Sequence, residues 1–140
     1  MIVDIKSTQV LEYMTVGSVG VDFKASQDID ILPTQVWLID TGTIIRIPEW
    51  YMLLTAPRSS TYKKMGWLIL VNSVGIIDND YCWNTDTVKF QYLNTWNKIV
   101  EIKKWDRIWQ WIFVKIEKPK FNYVEIMWDK DRGWFWTTWI

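Results

Sequence analysis

Six short runs of alternating or wholly apolar β-type residues, each bounded by turn chemistry, constrain this chain most: 43–47 (TIIRI), 51–56 (YMLLTA), 68–71 (LILV), 87–93 (TVKFQYL), 106–116 (DRIWQWIFVKI) and 122–127 (NYVEIM). Successive side chains of a strand point to opposite faces, so such runs are predicted as strands lining one interior. The breaks between them carry turn residues, at Ile47-Pro48-Glu49, Asn79-Asp80, Leu93-Asn94-Thr95 and Lys118-Pro119-Lys120. One short helix is predicted over 60–65, with Ser59 or Ser60 capping the amides that follow. Many short strands with so little helix predict an all-β sandwich, barrel or jelly roll. The 140 residues suit one domain. The last dozen residues lie beyond the final predicted strand, which divides the chain into a β domain, 1–128, and a C-terminal arm, 129–140.

Charge and composition narrow the chemistry. Lys plus Arg number 16 and Asp plus Glu 16, so no net field draws the chain to nucleic acid or to an anionic membrane, and any bound anion must be held by local groups. No apolar run approaches the roughly 18 residues of a membrane span. The single Cys82 and a start, MIVDIKSTQV, without the basic-then-apolar pattern of a signal peptide predict a reducing, cytoplasmic setting. There is no His, which removes Ser-His and Cys-His nucleophiles and most zinc sites. Catalysis would run on carboxylates, Arg, hydroxyls, backbone groups or a hard cation.

Several stretches combine residues that bind anions or place a carboxylate beside an aromatic ring. NSVGIIDNDY (72–81) is a strand running into a tight turn with Asp78 and Tyr81; taken alone it reads first as a plain hairpin. PRSSTYKKM (57–65) sets hydroxyls and helix-start amides beside Arg58, Lys63 and Lys64, an anion site or simply a capped surface helix. DRIWQ (106–110) could be a strand with an Asp at its start, and DRG followed by Thr137-Thr138 a plain terminus.

Taken in order, GVDFKAS (20–26), PRSS, NSVGIIDNDY, WDRIWQ and DRGWFWTTW resemble the five motifs of the trimeric deoxyuridine triphosphatases (dUTPases), from about Gly20 to Trp139. The resemblance is to the short forms of some bacteria and phages. It implies a jelly-roll-like β barrel or sandwich with one short helix, whose C-terminal arm is exchanged in a homotrimer. It further implies hydrolysis of dUTP to dUMP and pyrophosphate with Mg²⁺. Asp78 matches the carboxylate that activates the water attacking the α-phosphorus and bonds the 3′-hydroxyl. Tyr81 matches the ring that rejects a 2′-hydroxyl, and Asn72 with Gly75, Ile76 and Ile77 the hairpin that reads uracil. Ser59, Ser60 and Gln110 match phosphate contacts, Arg58 and Asp106 scaffold ions, and Asp22 the first-motif Asp near the metal's waters. Arg132, Phe135, Thr137 and Thr138 match an arm that closes over the site from a third chain, although Arg132 stands nearer Phe135 than in longer-armed members. A bound metal would be held mainly by the triphosphate.

Two other readings share much of this pattern. dCTP deaminase has the same fold but expects a catalytic Glu and Arg where this chain has Ser-Thr-Tyr-Lys-Lys. A dUTPase-like protein that binds nucleotide without turning it over would keep the fold and lose the chemistry.

The departure from the family lies in the tryptophans. There are 12 Trp and only 6 Gly, where average usage of about 7% gives roughly 10 Gly. Family members end in something like R-G-G-F-G-S-T-G, so Trp134, Trp136 and Trp139 stand where the family has Gly, as do Trp50, Trp83 and Trp105; Trp67, Trp111 and Trp128 fit Gly too, and Trp37, Trp96 and Trp109 are undecided. Glycine takes φ > 0 freely and lets amides approach a phosphate. The expectation is a UGA codon, read here as Trp, that the natural code assigns to Gly. The alternative is genuine Trp, adding core or interface mass and altering the arm.

Overall fold

The computed structural model describes residues 1–127. In chain order these form β1 (Ile5–Lys6), β2 (Val21–Lys24), β3 (Ile29–Ile31), β4 (Val36–Asp40), β5 (Ile44–Ile45), β6 (Tyr51–Pro57), α1 (Thr61–Lys64), β7 (Leu68–Leu70), β8 (Gly75–Ile77), β9 (Lys89–Asn94), β10 (Val100–Ile102) and β11 (Arg107–Lys115). The expected all-β fold with one short helix is borne out. Every pairing between the strands is antiparallel. A four-stranded sheet runs β2-β11-β6-β8, a three-stranded sheet β4-β9-β7, and two ribbons pair β1 with β5 and β3 with β10.

The two larger sheets enclose the core by alternation. In β9 Phe90, Tyr92 and Asn94 point inward while Lys89 and Gln91 face out. Phe23, Ile31, Ile39, Leu53, Tyr92, Ile102, Ile108 and Trp109 are fully buried, and the Phe90 and Trp109 rings stack at 4.1 Å. Burial pushes the Tyr92 phenol well above its ordinary range, so it stays neutral. Asn94, expected as a turn residue, ends β9 inside the core. Its Nδ2 donates to the carbonyls of Ile31 and Lys98, both at 2.8 Å, and its Oδ1 accepts the Trp96 N–H at 2.8 Å. The buried indole N–H groups of Trp109 and Trp111 meet no acceptor among the described residues, a cost that a large core ring normally avoids.

Two expectations are corrected. Residues 122–127 form no strand: the segment runs outside every sheet, with Tyr123 92% exposed. Its alternation finds no ladder partner among the described residues, and an unpaired strand does not persist alone. The helix is shorter than expected and is not capped by a serine: Ser60 occupies the N-cap without a side-chain bond to the backbone. Thr61 takes over locally, its Oγ1 accepting the Arg58 N–H at 3.1 Å.

A β-bulge controls how β11 presents its side chains. Arg107 pairs with Lys24 and Trp109 with Phe23, so Ile108 is one residue too many for β2. Arg107 and Gln110 are three apart and would face opposite sides of a regular strand. The extra residue buries Ile108 and Trp109 in succession and turns Arg107 and Gln110 to the same outer face. The Ile108 carbonyl accepts the hydroxyls of Thr61 at 2.8 Å and Tyr92 at 3.3 Å. Thr61→Val keeps the shape but removes both bonds of that hydroxyl. It is expected to cost about 2–3 kcal/mol in denaturant unfolding at fixed protein concentration, whereas Thr61→Ser should cost less than half as much.

Candidate active site

The outer face of the β2-β11-β6 sheet gathers the first cluster. Val21 and Phe23 of β2 point into the core, so Asp22 and Lys24 face outward; Asp22 pairs in register with Gln110, and Lys24 with Arg107. Asp22 Oδ1 receives the Arg58 Nε at 2.8 Å, and Oδ2 lies 3.5 Å from an Arg107 terminal nitrogen. The carboxylate is 14% exposed and Arg58 26%, so the pair is partly desolvated. One carboxylate between two guanidinium groups leaves a local positive excess that the neutral composition conceals.

That ion pair also fixes the loop after β6. Arg58 donates to the Arg107 carbonyl at 3.3 Å, and Gln110 Nε2 donates to the Pro57 carbonyl at 3.2 Å. Ser59 is exposed and Ser60 half-buried. These two hydroxyls stand next to Arg58 and near Gln110, a competent anion-binding group. Asp106 is not an ion-pair partner among the described residues. Its Oδ2 accepts the Lys103 N–H at 2.8 Å and so fastens the turn before β11. Sequence reasoning gave Arg107 no role, because its face is decided by the bulge. Asp22 is held by the two guanidinium groups. Among the described residues no group of three or more His, Cys, Asp or Glu is placed to hold an ion.

The second cluster follows β8. Gly75 is buried against β6, and a Cβ there would overlap Thr55 Oγ1, so only glycine permits this pairing. Ile76 is 61% exposed, Ile77 half-buried and Asn72 exposed on the preceding loop. Asp78 is exposed at the strand end, not turned into the core. The Tyr81 N–H donates to the Asp78 carbonyl at 3.3 Å, closing a four-residue turn that holds carboxylate and ring together. The Tyr81 hydroxyl donates to the Thr87 carbonyl at 3.1 Å, which orients the ring.

The two clusters do not meet within one chain. Ile77 pairs with Leu53 and Gly75 with Thr55, so Asp78 lies toward the Tyr51 end of β6, while Ser59 and Ser60 follow its Pro57 end. At about 3.3 Å per residue the separation is on the order of 20 Å. Asn72, before Gly75, lies toward the Pro57 end. Arg132, Phe135, Thr137 and Thr138 lie outside the described residues.

Known proteins share both sequence and fold. The family model for dUTPase matches residues 6–134. The deoxyuridine 5′-triphosphate nucleotidohydrolase of Finegoldia magna is 39% identical over 124 residues, 87% of this chain and 84% of that protein. The crystal structure of dUTPase from Streptococcus mutans superposes with a TM-score of 0.77 at 25% identity, over 85% of this chain and 98% of that one. The Staphylococcus bacteriophage 80alpha dUTPase with dUPNHPP has the same fold, with a TM-score of 0.81 at 19% identity over 94% and 92% of the two chains. With a family match over residues 6–134, a relative 39% identical over 87% of its length and an all-β fold to accompany them, the chain belongs to the dUTPase family.

Proposed function

We propose that this chain is a dUTP diphosphatase, hydrolysing dUTP to dUMP and pyrophosphate. The observation that carries the reading is the turn after β8, where the exposed Asp78 and the Tyr81 ring are held together by one backbone bond. The carboxylate orients a water in line with the α-phosphorus and takes its proton as the P–O bond to the pyrophosphate leaving group breaks. The Tyr81 ring, tethered to Thr87, packs where a 2′-hydroxyl would lie and so selects the deoxyribose. Asn72, Gly75, Ile76 and Ile77 offer the backbone edge that reads uracil.

Ser59, Ser60 and Gln110 bind the phosphates, and Arg58 holds their loop through Asp22. Mg²⁺ would be held mainly by the triphosphate oxygens, with Asp22 near its waters, and would supply neutralisation of the phosphate charge. Arg132, Phe135, Thr137 and Thr138 form the arm, 129–140, that closes over the nucleotide. In this reading Asp78 of one copy meets Ser59, Ser60 and Gln110 of another, and the separation of the clusters along β6 supports it. This supports a homotrimer with sites between subunits.

With magnesium, hydrolysis should be confined to dUTP in a panel with dTTP, dCTP and UTP; deamination of dCTP instead would overturn the proposal. Asp78→Asn should lower kcat about 10²–10⁴-fold while the chain still binds a non-hydrolysable dUTP analogue, and unchanged kcat would remove Asp78 from the mechanism. Co-expressed Asp78→Asn and Gln110→Ala chains, each inactive by itself, should recover about a quarter of the wild-type turnover when they assemble at random into trimers, because one site in four then draws both residues intact. A site contained in a single chain would recover none.

A further inference from the structure

Backbone conformation singles out certain tryptophans. Among residues 1–127, five non-glycine residues have φ in the left-handed region: Thr34 (61°), Trp50 (65°), Trp67 (70°), Ser73 (62°) and Trp105 (75°). Three of the eight Trp in this span adopt it, against two of all the other non-glycine residues. For a bulky side chain this region is a genuine outlier. Thr34 and Ser73 show that other residues can be held there, so the argument rests on what each Trp turn demands.

The Tyr51 N–H bonds the Pro48 carbonyl at 3.1 Å, and the Asp106 N–H bonds the Lys103 carbonyl at 2.9 Å. Each closes a four-residue turn with Trp at its third position and φ positive there. That is the type II arrangement, whose third position calls for glycine. Trp67 ends α1. Its N–H reaches back to the Tyr62 carbonyl at 2.9 Å, the outer bond of a Schellman motif. Gly66 has φ 62°, so residues 66 and 67 are left-handed in succession, as a Gly-Gly pair allows. Burial does not compensate: Trp50 is 50% exposed, Trp67 49% and Trp105 42%. The rings find only surface partners, Tyr62 edge-on to Trp67 at 4.6 Å and Lys104 over Trp105 at 4.8 Å.

We propose that positions 50, 67 and 105 are glycine sites, and that the natural polypeptide carries glycine at all three, encoded by UGA. The glycine assignment stands on backbone geometry and the codon on the count of 12 Trp against 6 Gly, and neither depends on the functional reading. The 103–106 turn leads into Arg107 and the 66–67 pair anchors the helix after Ser59 and Ser60, so relief of strain acts on the elements that carry the anion cluster.

The test compares Trp→Gly with Trp→Ala at each position by thermal unfolding at one protein concentration. Both variants lose the ring and differ only in the Cβ. At an ordinary position Gly is the less stable of the two. Here the Gly variant should melt higher by roughly 2–6 °C at each site, and an Ala variant that melts as high or higher overturns the proposal for that position. Peptide mass spectrometry on the natural protein supplies a second measurement if a variant fails to fold. Glycine is expected in the peptides covering 50, 67 and 105, and tryptophan in any of them overturns the assignment there.

Discussion

The carbonyl of Ile108 is the point at which three elements of this fold are tied together. It belongs to the extra residue of the β11 bulge, and it accepts hydroxyls from Thr61 at the start of α1 and from Tyr92 in the middle of β9. A bulge frees a backbone carbonyl from the ladder, and a buried carbonyl without a partner is costly. Here two side chains use it, so the irregularity becomes a joint between the sheets and the loop that carries Arg58, Ser59 and Ser60. The same extra residue turns Arg107 and Gln110 to one face, where Asp22 waits between two guanidinium groups.

The electrostatics follow from that arrangement. Charges that cancel over the whole sequence do not cancel locally. Two Arg on one partly buried carboxylate leave a positive excess beside the serine hydroxyls and Gln110, which is where an anion would be drawn. The carboxylate at position 78 is kept away from this cluster by the length of β6. Within one chain it therefore does not neutralise the positive face.

Much of the fold was legible in the residue pattern. The strands at 51–56, 68–71, 87–93 and 106–116 were found within a residue or two because alternation follows from the pleat. β1, β3, β5 and β10 are two or three residues long, too short for a period to declare itself, and only β5 fell within a predicted run. The run 122–127 has the pattern without a partner among the described residues, and pairing is not a local property. The motif residues stand out because five short patterns occur in order, yet neither the orientation of Arg107 nor the bond from the Lys103 N–H to Asp106 can be read there. The bulge that aims one and the turn that employs the other are set by neighbouring strands.

The sequence by itself determined the class of fold, the absence of histidine chemistry, the position of Asp78 and Tyr81 at the end of a short strand, and the imbalance between tryptophan and glycine. Those are properties of local periodicity, turn chemistry and composition, which need no distant contact. Only the tertiary structure decided that Asp22 serves Arg58 and Arg107, that the anion cluster and the Asp78 turn lie at opposite ends of β6, and that three tryptophans occupy left-handed backbone. Each of these depends on which strands become neighbours and in what register, and that is fixed by packing residues far apart along the chain.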